Sequence, residues 1–189
     1  MNIYTEKRQE LFEYFEDCVK RHFAFLENMS FSVEKHTLGW RVTYSSDTVE
    51  LNVYYERVSF EIDLTISLKG IASCSIDEIS SHYCKRKFLS AVDKNTVECA
   101  VIELKTLTNC YGMPYLRGDV STFEKILKRR EENTVKYNFE LVECKAIKAW
   151  ESGNYNKVIE LYQPLETVLT PIQKKRLQLS QRYVENKST

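Results

Sequence analysis

Residues 48–68 restrict the possible folds of this chain more than any other segment. On both sides of Glu56-Arg57, apolar residues occupy every second position and mostly polar residues lie between them. A period of two with one polar face is typical of half-buried antiparallel strands. A two-residue turn at Glu56-Arg57 would place Leu51 opposite Ile62 and would keep the apolar side chains on one face. The sequence therefore predicts a β-hairpin with one face directed towards a core.

Three segments before the hairpin predict the elements that surround it. Residues 5–28 carry apolar side chains at three- and four-residue steps, which is typical of an amphipathic helix. Residues 31–34 and 40–44 alternate like strands, and pairing of Val42 with Leu51 would extend the apolar face of the hairpin. The predicted fold class is α+β, with an N-terminal helix packed on a four-stranded antiparallel β-meander.

Helical patterns replace the alternation in the remainder of the chain. Residues 75–78, Ser-Ile-Asp-Glu, have the spacing of a capping box that opens a short helix. Residues 96–110 have helical periodicity, and Gly112 followed by a proline indicates the C-terminal cap of that helix. These signals predict that helices follow the sheet along the chain.

A junction between two domains is predicted at the Arg-Gly-Asp triplet of residues 117–119. It is followed by a second potential capping box, formed by Ser121 and Glu124, which would open another helix. We therefore predict an α+β domain over residues 1–117 and a helical C-terminal region over residues 118–189.

The segment 149–162 resembles a tetratricopeptide repeat. Its sequence, AWESGNYNKVIELY, combines a Gly-Asn-Tyr turn between two helices with an amphipathic second helix. The resemblance extends over residues 142–176 and implies a helical hairpin in the C-terminal region. It implies no peptide-binding groove, because such a groove needs several stacked repeats and the chain contains one.

Composition and charge favour a cytoplasmic protein that binds neither membranes nor nucleic acids. The chain has no apolar run long enough to span a bilayer and no export signal at its start. Residues 1–70 contain 8 basic and 12 acidic side chains, whereas residues 119–189 contain 13 and 10, and the net charge of the chain is zero. Neither balance is basic enough for nucleic acid. Six cysteines without paired spacing indicate free thiols.

No group of residues has the spacing of a catalytic or cofactor site. Cys74, His82 and Cys84 are zinc-ligand types, but structural zinc sites usually use four ligands in closely spaced pairs. Buried cysteines and a surface histidine are the simpler interpretation. The chain has five glycines and lacks a phosphate-binding loop, a nucleophile elbow and a histidine in a catalytic motif. We therefore predict a protein that is not an enzyme and holds no cofactor or metal.

The polar face of the predicted sheet is the best candidate for a binding surface. In the predicted register, Glu50 lies beside Asp63, and Glu61 lies opposite Asn52. Glu34, from the first strand, completes the predicted set of partner-binding residues. Four carboxylates on one face would attract a basic protein partner, with an association rate that depends on salt. The alternative is a solvated sheet face, on which like charges cost only some tenths of a kcal/mol.

The combination of these features resembles small bacterial immunity proteins of toxin systems. The features are the helix ending Phe-Ala-Phe-Leu at residues 23–26, the hairpin at residues 48–68 and the Trp-Glu-Ser-Gly-Asn-Tyr segment at residues 150–155. The resemblance implies a non-catalytic protein that neutralises another protein by binding it. Two alternatives are a helical adaptor that binds through its C-terminal helices around residues 174–176, and a metal-dependent enzyme without a recognised motif. The oligomeric state is not predicted.

Overall fold

The chain forms two compact units, Met1–Lys128 and Arg129–Thr189. In the first unit, helices and one sheet share a single large hydrophobic core. The second unit is helical and has a smaller core of its own. The structure is a computed structural model, and the residues it describes are 3–34, 40–81, 83–84, 86 and 90–187.

The first unit has the predicted α+β fold class, with five strands in place of the predicted four. The sheet is antiparallel throughout, and its strands follow each other in chain order. A 3₁₀ turn, Ala24–Met29, separates the first helix from the sheet. The elements of the unit are α1 (Ile3–Phe23), β1 (Ser32–Glu34), β2 (Arg41–Ser45), β3 (Val49–Tyr55), β4 (Ile62–Leu68), β5 (Ala72–Ser75), α2 (Ile76–Ser80), α3 (Lys94–Leu107), α4 (Met113–Leu116) and the start of α5 (Val120–Glu151).

One face of the sheet and the inward sides of α1 and α3 enclose the main core. The apolar residues of α1 recur at three- and four-residue steps, so they form one stripe that is buried against the sheet. Along β4, alternate residues are buried while the residues between them remain partly exposed. The stripe of α1 and the 3₁₀ turn consists of Phe12, Phe15, Val19, Phe23 and Leu26.

The register of the β3–β4 hairpin differs from the predicted one. Leu51 lies opposite Ile66 and not opposite Ile62, and the connection between the strands comprises residues 56–61. The two-residue turn is wrong because Glu56-Arg57 lacks the glycine or asparagine that a tight hairpin turn needs for its positive φ angles. The shift is four residues, an even number, so the apolar residues of β3 and β4 stay on the predicted face.

The pairing of β2 with β3 shows the same kind of error. Val42 lies opposite Val53, and Tyr44 takes the predicted place opposite Leu51. This shift is two residues, so the core-facing residues of β2 are again those that alternation indicates. Hydrophobic patterning thus determines which face is buried, whereas the turn determines the register.

In the sequence, the alternation of apolar and polar residues continues beyond the end of β3, although these residues form the β3–β4 loop. Val58 is 90% exposed at its tip, so its apolar side chain belongs to no strand. Phe60 has a φ of 59°, which is uncommon for a residue with a Cβ. Its carbonyl accepts a 2.6 Å hydrogen bond from the amide of Ala91, and the guanidinium of Arg8 lies 5.7 Å from its ring centroid. These contacts hold Phe60 in its strained conformation.

Of the two predicted capping boxes, the structure contains the first. Ser75 accepts a hydrogen bond from the amide of Glu78, whose carboxylate accepts one from the amide of Ser75. The prediction that Ser121 caps α5 is wrong. Asp119 occupies that position, because its two carboxylate oxygens accept hydrogen bonds from Ser121 and from Thr122.

Gly112 does not cap α3 as predicted. The chain passes from α3 through a π-helical turn, Thr108–Gly112, into α4, and Gly112 has a right-handed conformation with a φ of −81°. A Cβ at this position would lie 3.2 Å from Thr108 Cγ2 and 3.3 Å from Ile66 Cδ1. A glycine here therefore permits the turn to approach β4 closely.

The second unit contains the end of α5, then α6 (Tyr155–Tyr162), a 3₁₀ turn (Gln163–Val168) and α7 (Pro171–Lys187). Gly153 has a φ of 69° between α5 and α6, a conformation that glycine adopts readily. The side chain of Asn154 caps α6 by accepting a hydrogen bond from the amide of Lys157. The core of this unit consists of Ala146, Ala149, Val158, Tyr162, Leu169 and Leu177.

The boundary between the two units lies inside α5 and not at the Arg-Gly-Asp triplet before it. Phe123 and Ile126, in the first turns of α5, are buried in the core of the first unit. The first unit therefore extends to Lys128. No sequence break marks this point, because the helix continues through it.

The six cysteines are free, so their reactivity tests the burial described above. We expect a chromogenic disulfide reagent to modify the exposed thiols quickly in the native protein and all six thiols under denaturing, non-reducing conditions. Two or more missing thiols in freshly purified, denatured protein would contradict this prediction. The exposed thiols are Cys99, Cys110 and Cys144, Cys84 is half-buried, and Cys18 and Cys74 are buried.

Candidate interaction surface

The four carboxylates predicted to bind a partner do not form one group. Glu50 and Asp63 are not opposite each other in the observed register, Glu61 lies in the β3–β4 loop, and Glu34 lies on the edge strand β1. The predicted contacts of Glu50 with Asp63 and of Glu61 with Asn52 are wrong, because both depended on the two-residue turn. Two separate polar groups occupy this side of the sheet instead.

The first group is a hydrogen-bonded network around Asn52. Its Oδ1 accepts hydrogen bonds from Arg41 Nη2 and Thr43 Oγ1, each at 2.6 Å. Its Nδ2 donates to Glu50 Oε1 at 2.5 Å. Arg41 also forms an ion pair with Glu50, with 3.5 Å between Nη2 and Oε1. The charge of Glu50 is therefore balanced within the sheet, which makes it a weak attractor for a basic partner.

A shallow cavity of about 250 Å³ adjoins this network. On its wall, the hydroxyl of Tyr54 donates a 3.2 Å hydrogen bond to Asp63 Oδ2. Burial, together with the negative charge of Asp63, raises the pKa of Tyr54 to about 12. Tyr54 is therefore a neutral hydrogen-bond donor at physiological pH. The residues that line the cavity are Trp40, Arg41, Asn52, Tyr54 and Thr65.

The second group is an acidic cluster, which we define as Glu61, Asp63, Asp77 and Glu103 together with the guanidinium of Arg86. The side chain of Arg86 is only 3% exposed. Its Nη1 lies 3.1 Å from Asp63 Oδ1 and 3.8 Å from Asp77 Oδ1, and its Nε lies 3.8 Å from Glu103 Oε2. Three carboxylates therefore share one guanidinium, and the charge of the fourth, Glu61, acts on Asp77.

Asp77 shows the effect of burial on a carboxylate of this cluster. Burial raises the pKa of Asp77 above its ordinary value, and the charges of Asp63 and Glu61 raise it further, while Arg86 opposes the change. The ionised form of Asp77 is thus disfavoured even though a cation lies 3.8 Å away. Arg86 outweighs the neighbouring carboxylates at Asp77, but it does not offset the cost of burying the ionised carboxylate.

The position of the acidic cluster follows from the uneven length of the strands. β5 pairs with β4 only from Thr65 to Leu68, so it does not reach the first residues of β4. Arg86 lies at that part of β4 and donates a hydrogen bond to the carbonyl of Ile62. The buried guanidinium thereby pairs with a backbone carbonyl at the strand end, where a longer β5 would otherwise form the hydrogen bond.

Sequence analysis identified Glu61 and Asp63 but missed the rest of the acidic cluster. Asp77 and Glu103 belong to α2 and α3, so only the tertiary fold brings them to β4. Arg86 lies between Lys85 and Lys87 in the sequence. The sequence contains no signal that separates it from its neighbours.

A third polar group, defined here as the α1–α3 cluster, contains residues that are able to bind a metal. Cys18 and His22 on α1 and Glu98 on α3 place one potential ligand atom each within 4.8 Å of the others. For the zinc site considered from sequence, Cys74 is buried and Cys84 is half-buried, but His82 lies outside the described residues. The α1–α3 cluster was not predicted.

The helical unit contains a polar network of its own. Glu143 Oε2 accepts hydrogen bonds from Tyr162 Oη at 2.6 Å and Gln173 Nε2 at 2.7 Å, and Oε1 accepts one from Arg176 Nη1 at 3.3 Å. This network links α5, α6 and α7. In the basic segment at residues 174–176, the two lysines are exposed and Arg176 is partly buried.

In comparisons with known proteins, the chain matches no family model, no curated protein and no solved structure. Within the part of the chain that the structure describes, no helix combines the length and the apolar character required to cross a membrane.

Proposed function

We propose that this protein is a non-catalytic binding protein whose acidic cluster docks a basic segment of another protein. One observation carries the proposal: in this cluster, three carboxylates lie within 3.8 Å of one buried guanidinium, and one of them, Asp77, is disfavoured in its ionised form. A carboxylate whose pKa is raised by burial beside a specific charge partner is a candidate functional group. A lysine or arginine from a partner would pair with the outer oxygens of these carboxylates.

The geometry supports a protein partner more than a small cation. Three carboxylates, from β4, α2 and α3, lie around the guanidinium of Arg86, and Glu61 comes from the β3–β4 loop. Arg86 occupies the centre, where a metal ion would need to bind. A basic chain that passes over the outer carboxylate oxygens would gain charge pairing without displacing Arg86. Such complementarity acts mainly on the association rate.

An immunity-type role fits this mode of binding. Such a protein neutralises a toxin by covering it, so it needs a charged docking surface and no catalytic residues. We place this activity in the cytoplasm, and the six free cysteines are consistent with a reducing compartment.

A helical adaptor is the second candidate function. Val168, at the end of the 3₁₀ turn, and Ile172, in the first turn of α7, are 62% and 68% exposed. These two exposed apolar side chains, close in sequence to the exposed Lys174 and Lys175, would suit a partner that binds the helical unit. This candidate predicts binding that is independent of the acidic cluster.

Replacing Asp77 with asparagine is expected to stabilise the first unit slightly at pH 7. The pKa of Asp77 is raised in the folded protein, so the stability associated with its neutral form is lost as pH rises through that pKa. Asp77→Asn removes this loss and should raise Tm by about 1–2 °C at pH 7, an effect that should shrink towards pH 4. Thermal unfolding at both pH values measures it.

The exposed residue Asp47, in the turn before β3, supplies the matched control. Asp47→Asn should leave Tm unchanged at both pH values, because Asp47 belongs to no acidic cluster in the described part of the chain. A fall in Tm for Asp77→Asn at pH 7 would show that the ionised carboxylate of Asp77 stabilises the fold. That result would remove the main support for the proposed docking site.

Charge reversal tests the docking itself. Proteins captured from lysate by the wild-type chain are compared with those captured by Glu61→Lys/Asp77→Lys and by the control Asp47→Lys. We expect a basic protein that the double variant loses and the control retains. A partner retained by the double variant and lost by Lys174→Glu/Lys175→Glu would contradict the proposal and favour the adaptor.

A further inference from the structure

The α1–α3 cluster has ligand types that suit a transition metal. Cys18 and His22 are four residues apart on α1, so their side chains lie on the same face of the helix. Glu98, on α3, faces them, and one ligand atom from each residue lies within 4.8 Å of the other two. A thiolate, an imidazole and a carboxylate are all ligands of zinc, and hard cations such as Mg²⁺ and Ca²⁺ do not favour sulfur.

The distances require only small side-chain movements for metal binding. In a tetrahedral zinc site, ligand atoms lie about 3.3–3.8 Å apart, because metal–ligand distances are about 2.0–2.3 Å. In the cluster, His22 Nε2 already lies 3.3 Å from Glu98 Oε1. Rotation of the Cys18 and His22 side chains would complete three corners of a tetrahedron, with the fourth left for water.

The other contacts of Glu98 determine what a metal must displace. Glu98 Oε2 accepts a 2.5 Å hydrogen bond from Tyr14 Oη, and Oε1 accepts a 2.9 Å hydrogen bond from Arg21 Nη2. The side chain of Arg21 is 57% exposed, so it can turn into water without leaving a buried charge. Tyr14 can keep its hydrogen bond and orient the carboxylate, as outer residues of metal sites commonly do.

We propose that Cys18, His22 and Glu98 form a zinc site that joins α1 to α3. These two helices lie over the core face of the sheet, so a shared metal would hold them together in the folded state. The metal binds the thiolate of Cys18 and displaces its proton to solvent, while Arg21 leaves Glu98 Oε1. The site is independent of the acidic cluster and of the proposed partner.

Cobalt(II) titration of the reduced, metal-free protein tests the proposal, because cobalt reports thiolate ligation and tetrahedral geometry in its absorption spectrum. We expect one cobalt per chain, a thiolate-to-cobalt charge-transfer band, and displacement of cobalt by zinc. Cys18→Ser should abolish the band, and Glu98→Gln should weaken binding by more than about 100-fold. Tyr14→Phe should weaken cobalt binding by about 10-fold, the lower end of the range for residues that hydrogen-bond to a metal ligand.

Cys99→Ser is the matched control, because Cys99 is exposed, neighbours Glu98 on α3 and lies outside the cluster. It should bind cobalt as the wild-type chain does. Absence of the thiolate band in the wild-type protein, or a band that survives Cys18→Ser, would overturn the proposal. If Cys18→Ser does not fold, the variants of the two partly exposed ligands are tested instead. Unchanged cobalt binding in both His22→Gln and Glu98→Gln would overturn the proposal.

Discussion

Arg86→Met is expected to destabilise the first unit by about 2–4 kcal/mol. Methionine keeps most of the buried stem but removes the charge, which leaves Asp63, Asp77 and Glu103 to repel one another. It also removes the hydrogen bond to the carbonyl of Ile62. The expected loss is below that of a fully buried ion pair, because the three carboxylates are partly exposed to solvent.

Urea denaturation measures this loss in the unit concerned. The chain has two tryptophans, Trp40 in the first unit and Trp150 in the second, so a Trp150→Phe background makes fluorescence a probe of the first unit. Arg57→Met is the control, because Arg57 is exposed in the β3–β4 loop, and its expected change is within about 0.5 kcal/mol. Equal effects of the two substitutions would show that Arg86 does not hold the acidic cluster together.

Glu143→Ala is expected to destabilise the helical unit by about 2–4 kcal/mol. The carboxylate accepts hydrogen bonds from Tyr162, Gln173 and Arg176, and its removal leaves two buried donors, on Tyr162 and Gln173, without their partner. Burial, reinforced by Glu143, raises the pKa of Tyr162 to about 12, so its hydroxyl keeps the proton near neutral pH. Near neutral pH, the variant therefore bears the full free-energy cost of burying these unpaired donors.

In a Trp40→Phe background, Trp150 reports unfolding of the second unit. Glu140→Ala, one turn earlier on α5, is the control, because Glu140 is exposed and its expected change is within about 0.5 kcal/mol. Glu143→Gln should fall between the two, since its amide oxygen can still accept a hydrogen bond. If Glu143→Ala behaves like Glu140→Ala, the network contributes nothing to the stability of the three-helix arrangement.

The sequence by itself determined which side of each element is buried. The stripe from Phe12 to Leu26 and the alternation in β3 and β4 have periods that match one secondary structure each, so the buried face follows from local geometry alone. The capping box of Ser75 and Glu78 is also correct, because all of its atoms lie within one turn of helix. The α+β fold class follows from the order of these elements.

Strand register was decided by tertiary structure. Any shift by an even number of residues preserves the buried face, so alternation could not separate the pairing of Leu51 with Ile62 from the observed pairing with Ile66. Contacts of Phe60 with Arg8 and Ala91, far away in the chain, stabilise the longer loop. The error then misplaced the predicted acidic surface.

The two candidate sites also depend on contacts between distant segments. Cys18 and His22 share a helix face that the sequence shows, but their third partner, Glu98, comes from α3. Arg86 resembles its basic neighbours in sequence, and only the short strand β5 leaves the space in which its guanidinium is buried. Sequence periodicity shows which face of its own helix or strand each residue occupies. The charge balance of a site depends on which elements meet, and that is settled only when the chain packs.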